Sequence, residues 1–174
     1  MLKQEGFLNK LIRFDAFTIG LQYLSMAMAG APYMGVGRNM AYKRSLFFKV
    51  KGFASHYHIE SGDDDLFVNE AAHAGNTVAV IHPGAMTVTD PETRFRDWMR
   101  QKKRHTTTFR HYKFSSRLRL GLFGLSQYLF YPLLVLLLVF QFELIFVLSI
   151  FGFRQLVQAI VLYSGMKKLG ETDL

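Results

Sequence analysis

Apolar and polar positions alternate at different periods along the chain, and each change of period marks a new element. Residues 6–29 keep apolar side chains among scattered polar ones without a turn signal, which predicts a packed helix ended by Gly30-Ala31-Pro32. "GVGRNMAYKRSLFFKVKGF" at 35–53 opens on a glycine-rich turn, then reads as a short strand at 39–43 and a helical turn at 45–50 closed by Gly52. A helix is predicted from the acidic triplet Asp63-Asp64-Asp65 to Ala74, with Gly75-Asn76 as its stop. "TVAVIHPGAMTVT" at 77–89 places two β-rich runs around the turn His82-Pro83-Gly84. Residues 91–105 read as a basic amphipathic helix. Residues 120–142 then carry no formal charge, long enough for a helix to cross a bilayer. A second apolar run at 144–163 is interrupted by Arg154, Gln155 and Gln158. Such groups in a spanning helix face protein or a watery cavity rather than lipid.

Mixed strands and helices in this order predict an α/β fold followed by a helical transmembrane hairpin. The strands are too few to close a sheet covered on both faces, so the α/β part is expected to be only a portion of a domain. The division expected is 1–118 for the cytosolic part and 119–174 for the hairpin.

Charge adds the orientation. The net charge is +8, and basic residues crowd between Arg94 and Arg119, directly before the first span. Nucleic acid is one reading of such a cluster. Its place beside a membrane helix offers a simpler one, because Lys and Arg flank spans on the cytoplasmic side and attract anionic headgroups. No nucleic-acid partner is therefore expected, and membrane lipid is. Gln141-Phe142-Glu143 between the runs has no positive charge, whereas Lys167 and Lys168 follow the second run. Both ends of the hairpin are expected in the cytoplasm, as an integral protein of the cytoplasmic membrane. A competing reading takes "AMA" at 27–29 as a signal cleavage site; Glu5, Asp15 and the lack of a leucine-rich centre speak against it. The absence of cysteine fits a reducing compartment without requiring one.

Candidate chemistry is concentrated at two places. "GVGRN" lacks the third glycine and the strand–turn–helix setting of a dinucleotide fingerprint, and there is no P-loop. His56 and His58 near the aspartates allow a membrane metallohydrolase, on a weak spacing. The triplet at 63–65 can be a helix cap, since carboxylates suit a helix N-terminus. It can equally hold a general base for a hydroxyl attacking a carbon that carries a diphosphate, with Lys102, Lys103 and Arg104 absorbing the leaving charge. A non-catalytic module whose basic belt docks anionic lipid or a partner protein remains the alternative.

The motifs "GVGRNMAYKR", "KGF", "GDDDLF" and "QKKRH" stand in the order seen in family 2 glycosyltransferases, and residues 30–105 with the following hairpin resemble the membrane-anchored, inverting members related to cellulose and chitin synthases. The resemblance implies a GT-A type domain of which this chain holds the C-terminal, acceptor-side fragment. It implies transfer of a sugar from a nucleotide-sugar donor to a glycan or lipid-linked acceptor at the cytoplasmic face of the cell envelope. Asp63 matches the catalytic base, with Gly62 where the family has glutamate and leaving room for an acceptor. Asn39, Asp64, Asp65, Gln101, Lys103, Arg104 and His105 match positions that hold the acceptor or the diphosphate. His105 replaces a tryptophan that stacks on the acceptor in processive enzymes, which argues against long-chain synthesis. A divalent metal, magnesium or manganese, is expected of the full-length family, but the early D-x-D motif that would bind it is missing here, so no metal ligand is assigned.

Overall fold

The computed structural model describes residues 1–59 and 61–174. Helices α1 (Phe7–Met28), α2 (Arg44–Lys49), α3 (Asp63–Ala71), α4 (Phe95–Thr106), α5 (Phe114–Val139) and α6 (Leu144–Leu169) follow one another, with 3₁₀ turns at Gly37–Asn39, Pro83–Ala85 and Thr107–His111. Among the described residues there is no strand, which overturns the α/β expectation. Residues 40–43, 77–82 and 86–92 lie outside any regular element. Alternating β-branched residues favour extended backbone, but a strand exists only where a second one lies beside it in hydrogen-bonding register. Among the described residues, the backbone of 77–89 is tied to a distant segment by Leu2 N–H donating to Thr89 C=O at 2.9 Å.

Helix α1 matches its predicted span closely because its end is chemically specified. Gly30 takes φ +78°, and the N–H groups of Ala31 and Gly30 donate to the carbonyls of Met26 and Ala27. This double closure ends the helix in a left-handed residue. Its buried side chains Asn9, Ile12, Arg13, Phe17 and Gly20 recur at three- and four-residue spacing. They face the C-terminal end of α6, where a Cβ on Gly165 would stand 3.0 Å from Leu21 and 3.2 Å from Phe17. The guanidinium of buried Arg13 grips the tail beyond α6, donating to Glu171 and, at 2.7 and 2.8 Å, to both carboxylate oxygens of Asp173. Asp173 is held well below the usual carboxylate range by Arg13 first and Lys3 second.

The hairpin turn repeats the closure with Gln141 in the left-handed position at φ +51°, where Phe142 and Gln141 donate to Leu137 and Leu138. Helices α5 and α6 are each long and apolar enough to cross a membrane, and most of their apolar side chains are exposed. Around α3, by contrast, the packing is dense. One cluster joins Tyr33, Leu66 and Tyr112, and on the other face of the helix Phe67 meets Tyr42, Phe47 and Phe53 with ring centroids 4.5–6.0 Å apart. Helix α3 stops at Ala71, short of the predicted Ala74. Asn76 Nδ2 already donates to Ala71 C=O while its Oδ1 accepts from His73 N–H.

Candidate functional site

Three carboxylates on successive residues of one helical turn point in different directions, and the structure gives each a different environment. Gly62 precedes them at φ +92° as the residue before the helix, and no side chain caps α3. The triplet therefore occupies the first turn proper, where its charge faces the free N–H groups of the helix start. Asp64 Oδ2 accepts the Gly37 N–H at 2.7 Å, and its Oδ1 accepts the Asp65 N–H at 2.9 Å. This bond draws the Gly37–Asn39 turn, with exposed Asn39 at its end, against the acidic helix.

Asp65 points inward and is buried. Its Oδ2 accepts hydroxyl hydrogen bonds from Thr108 and Tyr112, each at 2.7 Å. Thr108 Oγ1 also lies 2.7 Å from the His105 carbonyl, so Asp65 is coupled to the end of α4 through one side chain. Burial first, and the Asp65 charge second, push the Tyr112 phenol far above its ordinary range, so it stays a hydrogen-bond donor. Asn69, one turn on, donates to Tyr33 C=O and accepts from Lys113 N–H at the entrance to α5. Asp65 is thus a buried tie between the acidic and basic segments, with its Oδ1 left without a hydrogen-bond partner among the described residues. Removing the phenol hydroxyl tests this. Tyr112→Phe should lower unfolding stability by about 1.5–3 kcal/mol, the worth of a buried hydrogen bond to a charged group, as read by denaturant titration in detergent.

Gly62 has a role that sequence reasoning missed. A Cβ there would lie 2.6 Å from both Asp65 Oδ1 and Thr108 Cγ2, so the space beside Gly62 is filled by protein. The left-handed φ and this close approach demand glycine. The room expected there for an acceptor is absent.

Asp63 is exposed and forms no hydrogen bond or ion pair among the described residues. Beside the triplet, a cavity of about 490 Å³ is lined by His58, Ser61, Arg100, Lys103, Arg104 and Arg110, among others, and among the described residues by no carboxylate. Arg100, Lys103, Arg104 and Thr107 fall at helical spacing on one face of α4 and the turn that continues it. Lys102 turns away, bridging Asp15 and lying 5.3 Å from the Trp98 ring centroid, so it joins α1 rather than the cavity. Gln101 and His105 do not line the cavity, and neither does Asp63, although Ser61 two residues earlier does. Arg100 and Arg110, read from sequence as membrane-flanking charge, and His58 and His111, are cavity residues that only the tertiary structure brings together.

Among the described residues no three His, Asp or Glu side chains are arranged to hold an ion. His56 is buried, with Nδ1 2.9 Å from Ser55 Oγ and 3.8 Å from Glu70. Family 2 enzymes commonly use a divalent metal; the residues described here do not form a site for one, and no step is assigned through it.

The geometry is thus an acidic helix start tied through a buried carboxylate to a cavity of guanidinium and ammonium groups, which suits an anionic ligand. The family model for glycosyl transferase family group 2 matches residues 3–166, and the chain belongs to that family of glycosyltransferases. No curated protein and no solved structure matches the chain.

Proposed function

We propose that the chain supplies the acceptor side of an inverting glycosyltransferase working at the cytoplasmic face of a membrane, with α5 and α6 as its transmembrane hairpin. The donor is a nucleotide sugar and the acceptor a glycan or lipid-linked hydroxyl. Asp63 takes the proton of that hydroxyl as the sugar carbon is attacked from the side opposite the departing diphosphate. Lys103 and Arg104, with Arg100 beside them, receive the charge that grows on the diphosphate. Asn39 and His105 contact the acceptor, and Gln101 holds it from the neighbouring face of α4. Residues 1–118 form the cytosolic part and 119–174 the membrane part.

The observation that carries this reading is the division of labour within the triplet. Asp64 accepts from Gly37, and Oδ2 of buried Asp65 accepts from Thr108 and Tyr112, while Asp63 is exposed and has no hydrogen-bond partner among the described residues. A chain using the triplet only to start a helix has no need to anchor two of its members and leave the third open beside a cationic cavity. The test is a panel of radiolabelled nucleotide sugars offered to sealed membrane vesicles holding the complete enzyme. Inside-out vesicles, with the cytoplasmic face outward, should incorporate label from one donor with inversion at the anomeric carbon. Right-side-out vesicles should not. Equal incorporation by both, or retention of configuration, would refute the proposal.

A further inference from the structure

Within the apolar portions of α5 and α6 there is one formally charged side chain, Arg154. At 1.5 Å rise per residue it stands about 15 Å along α6 from Leu144, and Gln127 stands about 18 Å back along α5 from Val139. In a hydrocarbon layer about 30 Å thick, both lie near the midplane, too deep for the arginine to reach either headgroup layer. Its partners are all neutral. Nη2 donates to Gln127 Oε1 at 2.5 Å, Nη1 lies 3.4 Å from both Tyr131 OH and Gln155 Oε1, and the guanidinium carbon sits 4.0 Å from the Phe130 ring centroid. Neither helix contains an Asp or Glu, and the nearest acid in sequence, Glu143, is at the tip.

These contacts orient the guanidinium and satisfy some of its N–H groups, but they do not neutralise it. A charge held at this depth is costly unless a counter-charge or water meets it, and such residues mark functional surfaces. Gly124, Gln127 and Tyr131 follow at spacings of three and four on one face of α5. Gly124 has open space where a Cβ would be. Small residues beside interhelical hydrogen-bonding groups are where membrane helices approach one another closely.

We propose that the face made by Gly124, Gln127, Tyr131 and Arg154 docks another membrane-spanning helix that presents an Asp or Glu at the bilayer midplane. The proposal rests on the reading of α5 and α6 as a transmembrane hairpin. Charge complementarity selects this occupant. A second copy of the hairpin brings another arginine and no acid, and a lipid phosphate sits in the headgroup layer rather than at this depth.

Two measurements on the full chain in phosphatidylcholine vesicles separate the proposal from its premise. In the first, cysteines placed by Glu143→Cys and Lys168→Cys are labelled with an impermeant reagent. Labelling from opposite sides establishes the span, whereas labelling of both from one side removes the membrane reading and this proposal with it. The second measures energy transfer from the labelled chain to synthetic poly-leucine spanning helices carrying either Asp or Leu at their centre. The Asp helix should associate at least tenfold more tightly than the Leu helix. Arg154→Leu should erase that preference while still inserting, and Arg154→Lys should keep most of it. Equal association of the two helices, survival of the preference in Arg154→Leu, or displacement of the Asp helix by added polyprenyl phosphate would each overturn the proposal.

Discussion

Asp63→Asn should reduce sugar transfer by the complete enzyme by roughly 10²–10⁴-fold, the range expected when a positioned general base is lost. The substitution preserves size and leaves one side-chain oxygen at the helix start, so the change is confined to the proton acceptor. Asp63 is exposed, and its structural contribution is limited to charge at the N-terminus of α3, worth about 0.3–1 kcal/mol. Thermal stability and donor binding should therefore stay close to those of the parent. Asp64→Asn makes the informative control. The amide oxygen can still accept the Gly37 N–H, which Asp64 Oδ2 accepts at 2.7 Å, so transfer should fall far less. Asp65→Asn should act differently again, lowering stability first because Thr108 and Tyr112 both donate to that carboxylate. Steady-state rates and melting curves for the three variants separate these roles. Near-normal transfer by Asp63→Asn would return the triplet to a purely helix-starting role.

Arg104→Ala should lower turnover by about 10²–10³-fold, since one donor aimed at developing charge is typically worth that much. Arg117→Ala, on the first turns of α5, should leave turnover nearly unchanged. Both side chains are exposed, and neither substitution opens the core. The difference lies in where they point. Arg104 lines the cavity with Arg100, Lys103 and Arg110, whereas Arg117 lies outside it, 3.5 Å from the Arg110 carbonyl. Arg104→Lys should recover part of the loss, because it restores charge without the paired N–H geometry of a guanidinium. The assay is initial rate against donor concentration. Equal losses from Arg104→Ala and Arg117→Ala would reduce the whole belt to nonspecific electrostatics.

Four long helices were legible in the amino-acid sequence, because what specifies a helix is local. Apolar spacing marks α1 and α4, uninterrupted apolar runs mark α5 and α6, and Gly30 stops α1 where the pattern ends. The motifs that identify the family were also legible, since each is a short run of residues in a set order. The strands were misread for the complementary reason. Residues 77–82 and 86–92 have β-favouring composition, yet a ladder depends on a second segment, and no local signal reports whether one is present.

The same distinction runs through the site. Three adjacent aspartates look equivalent in a sequence, and family resemblance alone singles out Asp63. Their separation into a free carboxylate, a clamp on Gly37 and a buried tie follows from contacts 27, 43 and 47 residues apart. Gly62 reads as an open space until Thr108 is folded against it. Lys102 and Lys103 are neighbours with one chemistry, but the helical rotation between them sends one to Asp15 and the other to the cavity. Composition and periodicity by themselves determined where the long helices form and that cations precede a pair of long apolar ones. Only the tertiary structure decided which carboxylate is left free and which cations share a cavity, because burial and partnership depend on segments far apart in the chain.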